Sequence, residues 1–585
     1  MAGQIFAGDF HMGHLDNGRR VNIYFTYKLE AGRYFAGIEP DQYSVQYMEL
    51  PTVSSNLKKY KGKWGRDEVK HLLKRTMFGA PKADIDFFTS RSLRSTIKLL
   101  IETTDAVPSL PVNNYNDDKY TDEEILPGDT WITATKLSGM NSGRRRNSFK
   151  SWWIGLMLNQ QRSVLEKMVL FWHNHFATET NTVDNPTMCY KHNVLLRQYA
   201  MGNFKEMVRA VTLDPAMLKY LNGNANTKKA PDENYGRELQ ELFTIGKGPG
   251  SHYTEADVKS AARVLTGFRI ENKILPDVHG VFDAGRHDET DKQFSSFYNN
   301  TLIGGRKAKE GEGELDDLLA MLFAQEELSK FICRKLYRFF VYYQIDDTTE
   351  KNIIEPLAKT FRKNNYEIKP VLKQLFSSRH FFDMANRGAL IKSPVDFTVG
   401  LCREFNVKFP GTNDYVNLYG LWNNIQNAAA QMQQNIGDPP NVAGWPAYYQ
   451  EPQFDKIWIN SDTLPKRNQF TDRMLNNGFA RNDKKISIDP YLFAQSLQNP
   501  GDPDELVSES VQLLYAIDLP DQEKKYMKEG ILLSGLQGMM SDHYWTDAWN
   551  KMTTRPDDNA NKKDVTNKLK NLYRYLMNLP QYQLS

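Results

Sequence analysis

Apolar residues recur at the spacing of a helix along most of this chain, and that period limits the fold more than any other feature. In "QQRSVLEKMVLFWHNHF", Leu165, Met168, Val169 and Trp172 fall at i, i+3, i+4 and i+7, which puts them on one stripe. "LSKFICRKLYRFFV" repeats the pattern with Ile332, Leu336, Phe339 and Phe340. "RDEVKHLLKRTMFGAP" stops at Gly79 and Pro81. "YTEADVKSAARVLTGF" opens with Thr254 as N-cap, Asp257 three residues on, and a stop at Gly267. Only the first residues depart from this. "VNIYFTYKL" alternates Val21, Ile23, Phe25, Tyr27 and Leu29, the two-residue period of a strand, and "YSVQYMEL" reads as a second strand beyond Gly37 and Pro40.

These patterns predict a mainly α protein: a large multi-helix globular domain with long irregular loops and a small β-containing N-terminal extension. The expected organisation is an extension at 1–60, a helical core domain at 61–475 and a C-terminal helical region packed on it at 476–585. The long loops are "LNGNANTKKAPDEN", "TIGKGPGSHYT", Glu271–Glu314 and "NIGDPPNVAGWPAYYQEPQFDK". Loops of that length inside a compact protein are functional or specifically packed.

Charge removes some function classes. With 74 basic and 71 acidic residues the net charge is +3, which leaves no electrostatic footprint for nucleic acid. The densest basic run, "GRRRN" at Gly143–Asn147, reads as a solvated loop. No stretch approaches the roughly 18 apolar residues of a membrane span. Asp9, His11 and His14 stand where an export signal needs an apolar run, so as written the chain is expected in the cytoplasm. Three cysteines, Cys189, Cys333 and Cys402, form no metal-finger spacing and no disulfide framework.

The residues with chemistry lie at helix ends and in loops. His173 and His175 in "FWHNHFATE" are spaced as two ligands on an extended segment, and neutral imidazole suits Zn, Mn or Fe. On a continuous helix residues i and i+2 stand about 200° apart, so a shared ligand requires the chain to leave the helix near Asn174. The alternative is that one histidine caps helix carbonyls while the other packs. "RELQELF" places Glu238 and Glu241 at i and i+3 on one helical face, with Arg237 able to pair Glu241. Such carboxylates act as metal ligands or as a general acid/base pair, or serve an internal Arg–Glu network holding "TIGKGPG". His287 and Asp288 in "RHDETDK" are adjacent in an irregular segment and can join a metal shell. His192 belongs to an outer shell or the core. "PPNVAGWP" is a rigid turn whose Trp445 either walls a pocket or latches the loop to the helices; Asn460 is a polar candidate nearby in sequence. No nucleophile elbow or dinucleotide fingerprint is present, "GKGPG" lacks the strand–loop–helix setting of a phosphate cradle, and Cys189 has no activating signature.

"HLLKRTMFGAP", "EKMVLFWHNHFAT", "DPAMLKYLNG", "ENYGRELQELFTIGKG", "YTEADVKSAARVLTGF", "HDETDK", "IKSPVDF" and "PPNVAGWP…WINSDTL" resemble, in order, the motifs of a bacterial family catalogued only as domain of unknown function 1800. The resemblance implies a mainly helical fold and no agreed activity. It also implies frequent export and a partner protein resembling sulfatases. Asp232 stands where the family pattern usually reads Asn, and "HDETDKQFSS" lacks its Leu-Gly.

Two functional readings follow. One is a metal-dependent hydrolase with His173, His175 and His287 as ligands, Glu238, Glu241 and Asp288 in catalysis, and Arg237, Trp445 and Asn460 binding substrate. The other is a non-catalytic helical protein that binds a partner or an extracellular polymer.

Overall fold

The computed structural model describes residues 29–30, 33–34, 56–103, 108–271, 276–445, 456–536, 540–555 and 557–585. Helices dominate it, and the strands form small two-stranded antiparallel pairs, such as Phe268–Glu271 with His279–Phe282 and Phe479–Arg481 with Lys484–Ile486. The mainly α fold expected from periodicity is the one observed. Of the N-terminal extension, a hairpin pairing Leu29–Glu30 with Arg33–Tyr34 falls within the described residues. The strand expected at Val21–Leu29 lies outside them except for Leu29, and the one expected at Tyr43–Leu50 lies wholly outside.

The apolar stripes do what their spacing requires. In the helix Leu165–His175, Met168, Val169 and Trp172 are fully buried, and the Trp172 indole N–H donates to Ala200 O at 2.8 Å. In the helix Glu326–Phe340, Ile332, Leu336 and Phe340 turn inward. The helix Glu255–Val264 starts at a Thr254–Asp257 capping box, as the sequence reads. The helix Gly139–Leu158 lies against Tyr415–Gln431 and the helix Pro186–Tyr199 against Leu165–His175, so the histidine-bearing helix sits inside the bundle.

The core also encloses many charges, several of them paired. Lys74 and Glu404 form a buried ion pair, and Glu404 further accepts the Ala80 N–H. Fully buried Arg467 donates to Trp458 O, to Lys392 O and to Gln583 Oε1, fastening the chain's last residues to the "IKSP" segment. The run at Gly143–Asn147 is not the expected loop. It is helical, with Arg145 buried against Asp122 at 2.7 Å, Arg144 on Asp117 at 3.1 Å and Arg146 on Asp184. The basic density serves internal pairing, because three acidic partners converge on one helix start.

Truncating Trp172 to Ala removes both its packing and the bond to Ala200. It is expected to lower stability by about 3–5 kcal/mol, read from chemical denaturation.

Candidate functional site

His173 and His175 sit on one uninterrupted helix, with His175 its last residue, so their rings leave on different sides. His173 packs edge-on against Trp153 with centroids 5.0 Å apart, and lies 5.9 Å from Trp445 and 6.4 Å from His192. Its Nε2 is buried without a partner, and burial, aided by His192, pushes its pKa down to about 3. His175 faces a separate aromatic group that includes Phe204, Phe243 and Phe331. Its Nε2 lies 3.1 Å from Phe243 O and its Nδ1 2.9 Å from Lys335 Nζ. A carbonyl only accepts, so Nε2 carries the proton and Nδ1 accepts from the lysine. Burial, then the Lys335 charge, hold the ring well below its ordinary pKa.

His192, one helix away, spans Asp214 Oδ2 at 2.9 Å and Phe176 O at 3.1 Å. It ties the end of the histidine helix to the cap of Pro215–Tyr220. His287 is elsewhere, fully buried, with Nδ1 on Thr266 O at 2.9 Å and Nε2 3.1 Å from Glu314. Lys292 closes that cluster on Glu314, whose carboxyl stays below its ordinary range. Burial raises it, but bonds from His287, Lys292 and the Arg306 N–H outweigh that. Asp288 points away to Arg263 Nε at 2.8 Å and to Thr290, and these bonds overcome its partial burial to hold its pKa low.

The first shell expected from His173, His175, His287 and Asp288 is therefore not brought to one point. Among the described residues no group of three or more His, Cys, Asp or Glu side chains is arranged to hold a metal ion. The physical reason is that the helix continues through Asn174, that both ring nitrogens of His175 already meet protein groups, and that His287 sits in a separate cluster with Nδ1 on Thr266 O. Cys189 is buried, with its thiol pushed up to about 12 by burial.

The carboxylates tell a different story. Glu238 ends the helix Glu233–Glu238, and the chain then widens into a π-helix over Leu239–Thr244. Such π segments occur mostly as single turns and frequently at functional sites. Gly236 lets this helix approach its neighbour closely, since a Cβ there would stand 3.1 Å from the Ala262 nitrogen. Arg237 does not pair with Glu241, as the i+4 spacing suggested. It forks onto Glu255 at 2.7 Å and reaches Glu233 at 3.0 Å, while Glu241 takes Lys247. Glu238, partly buried, has its pKa raised to about 7, first by burial and then by the neighbouring Glu241 charge. Tyr253 and Tyr220 lie within electrostatic reach of Glu238, both with phenols held neutral by burial and nearby carboxylates. Tyr220 donates to Glu179 at 3.1 Å.

The loop before Trp445 is pinned beside this face. Asp438 holds Lys150 and accepts from Thr180 Oγ1 at 2.7 Å, and the Trp445 N–H donates to Asn174 Oδ1 at 2.8 Å. Trp445 is buried against His173, so it latches the loop and does not line an open pocket. Asn460 is exposed and its side-chain oxygen caps a local turn through the Asp462 and Thr463 N–H groups. Sequence reasoning marks Asn174 only as a point where the helix would have to break, not as the partner of the Trp445 loop, and it passes over Tyr220, inside "DPAMLKYLNG". It also passes over Lys335, which only a three-dimensional neighbour singles out.

A helical bundle with a carboxylate pair at a π-turn and a loop latched beside it is the class of protein these features define. The chain belongs to the family described as Protein of unknown function (DUF1800), whose model matches residues 71–584. No curated protein and no solved structure matches it significantly. No helix among the described residues is long and apolar enough to cross a membrane.

Gly444 carries φ +86°, and a Cβ there would stand 2.3 Å from both the Asn174 carbonyl and its side-chain oxygen. Gly444→Ala is expected to break the latch and cost roughly 1–3 kcal/mol, read as a fall in melting temperature.

Proposed function

We propose that this protein is a hydrolase whose reaction is run by the Glu238–Glu241 pair. The observation that carries the reading is the separation of two neighbouring carboxyl environments. Glu238 is pushed up to about 7, whereas Glu241 is ion-paired with Lys247. A carboxyl raised toward neutrality beside one held in an ion pair can divide the work of acid and base. Protonated Glu238 donates its proton to the leaving oxygen. Glu241 takes a proton from the attacking water, whose oxygen bonds to the substrate carbon as that carbon's bond to the leaving oxygen breaks. Tyr220 and Tyr253 offer flat faces to a hydroxylated substrate, and the neutral Tyr253 phenol offers an O–H donor, while the Tyr220 O–H is given to Glu179; this makes glycosidic linkages the first class to test. The scheme routes no step through His175, His287 or Asp288, which face other protein groups.

A non-catalytic reading is favoured by one feature. The bonds Arg237–Glu255 and Lys247–Glu241 tie the ends of the 246–251 loop and would serve a scaffold equally well.

One experiment separates the two. The parent and Glu238→Gln are assayed on a panel of glycosides and simple esters between pH 5 and 8. The hydrolase reading expects turnover in the parent and a loss of about 10²–10⁴-fold in the variant. Equal turnover in both, or none in the parent, removes it. Linkage supplies a check that needs no substrate. Folding raises the Glu238 pKa from 4.5 to about 7, so the folded state binds the extra proton. The parent is therefore expected to lose stability relative to Glu238→Gln as pH rises through that window, and to lose no more above it.

A further inference from the structure

The π-helix Leu239–Thr244 ends where the chain swings away at Gly246, whose φ is +86°. The N–H groups of Ile245 and Gly246 both return to Gln240 O, at 2.9 and 3.0 Å. The carbonyls of the last turn must find partners outside the helix, as they do at any helix C-terminus. Two of them do so from other elements. Phe243 O accepts from His175 Nε2 at 3.1 Å, and Leu242 O from Lys335 Nζ at 3.3 Å. The two donors are themselves joined by the Lys335–His175 bond of 2.9 Å. One polar bracket, built from the helices Leu165–His175 and Glu326–Phe340, thus grips consecutive carbonyls of the segment that carries Glu241 and follows Glu238 directly.

We propose that His175 and Lys335 are positioning residues for the Glu238–Glu241 pair, acting through the last turn of the π-helix. The inference rests on the acid–base reading above. An α-helix advances about 100° per residue, and the wider i→i+5 turn advances less. Holding the segment wide therefore sets the angle between the two carboxylates. Without the bracket the carbonyls lose partners, the segment relaxes toward an ordinary α turn, and Glu241 swings relative to Glu238. A donor suits the place as well, because a helix C-terminus leaves carbonyls to be met, and Lys335 still donates there though burial, then the Arg338 charge, lowers its pKa to about 7. Phe331 supports it from the side, with Lys335 Nζ 4.9 Å from the ring centroid.

The test reads the Glu238 carboxyl directly. Full-length protein labelled at glutamate side-chain carbons is titrated by NMR, with the resonance assigned through Glu238→Gln. Thermal unfolding confirms that each variant is folded. The parent is expected to titrate near 7. Lys335→Met and His175→Ala should each lower that midpoint by about one unit or more. Lys335→Arg, which keeps a cationic donor, and His175→Gln, which keeps a donor and an acceptor, should stay near the parent. If His175→Ala does not fold, Lys335→Met decides, since that side chain is only partly buried. A parent midpoint near 7 that both disruptive variants leave unmoved overturns the positioning role and leaves the acid–base reading standing. A parent midpoint near 4.5 defeats the acid–base reading itself.

Discussion

The hydrogen bond from His175 to the carbonyl of Phe243 joins the end of one helix to the end of another, and the candidate site is arranged around that junction. Each end alone leaves polar groups without partners. Brought together they satisfy each other, with Lys335 as the third member. The junction explains why a histidine is used. A neutral imidazole donates on one nitrogen and accepts on the other, so a single ring spans a carbonyl and an ammonium. On the opposite side of the same helix, His173 and Asn174 meet the Trp445 loop. One helix end thereby fixes both the π-turn and the latch.

Buried charge is the second organising constraint. Lys74 with Glu404, Arg145 with Asp122, Arg197 with Glu166, and Lys292 with Glu314 and His287 each join segments distant in sequence. Desolvation makes such pairs weak sources of net stability, but an unmatched partner is costly. They therefore act against alternative packings of a bundle whose apolar stripes are otherwise similar. Glu238 stands out against this background, since burial, aided by the Glu241 charge, outweighs Lys247 and Arg237 and favours the protonated acid.

Much of this was legible in the chain. Stripes such as Met168–Val169–Trp172 and the Thr254–Asp257 capping box specify helices locally, because side-chain period and cap chemistry need only a few neighbours. The choice of Glu238 and Glu241 as acid/base candidates also came from local sequence. The metal shell did not assemble from its predicted members. The helix runs through Asn174, which separates His173 from His175, and the His287–Asp288 doublet is taken up by Glu314, Thr266 and Arg263. A basic run read as a solvated loop became a helix start for the same kind of reason: its acidic partners, Asp117, Asp122 and Asp184, cannot be chosen from sequence alone.

The sequence by itself determined the helical class and the principal helices, and marked the two glutamates as candidates. Each of these depends on interactions within a turn or two of chain. Only the tertiary structure decided which helix carbonyls remain free, that His175 and Lys335 meet them, and that Glu238 is shielded enough to hold its proton near neutrality. Burial and hydrogen-bond partnership are properties of the packed whole. The same histidine reads as a ligand on an extended segment and as a bracket on a helix, and the difference lies in what lies across from it.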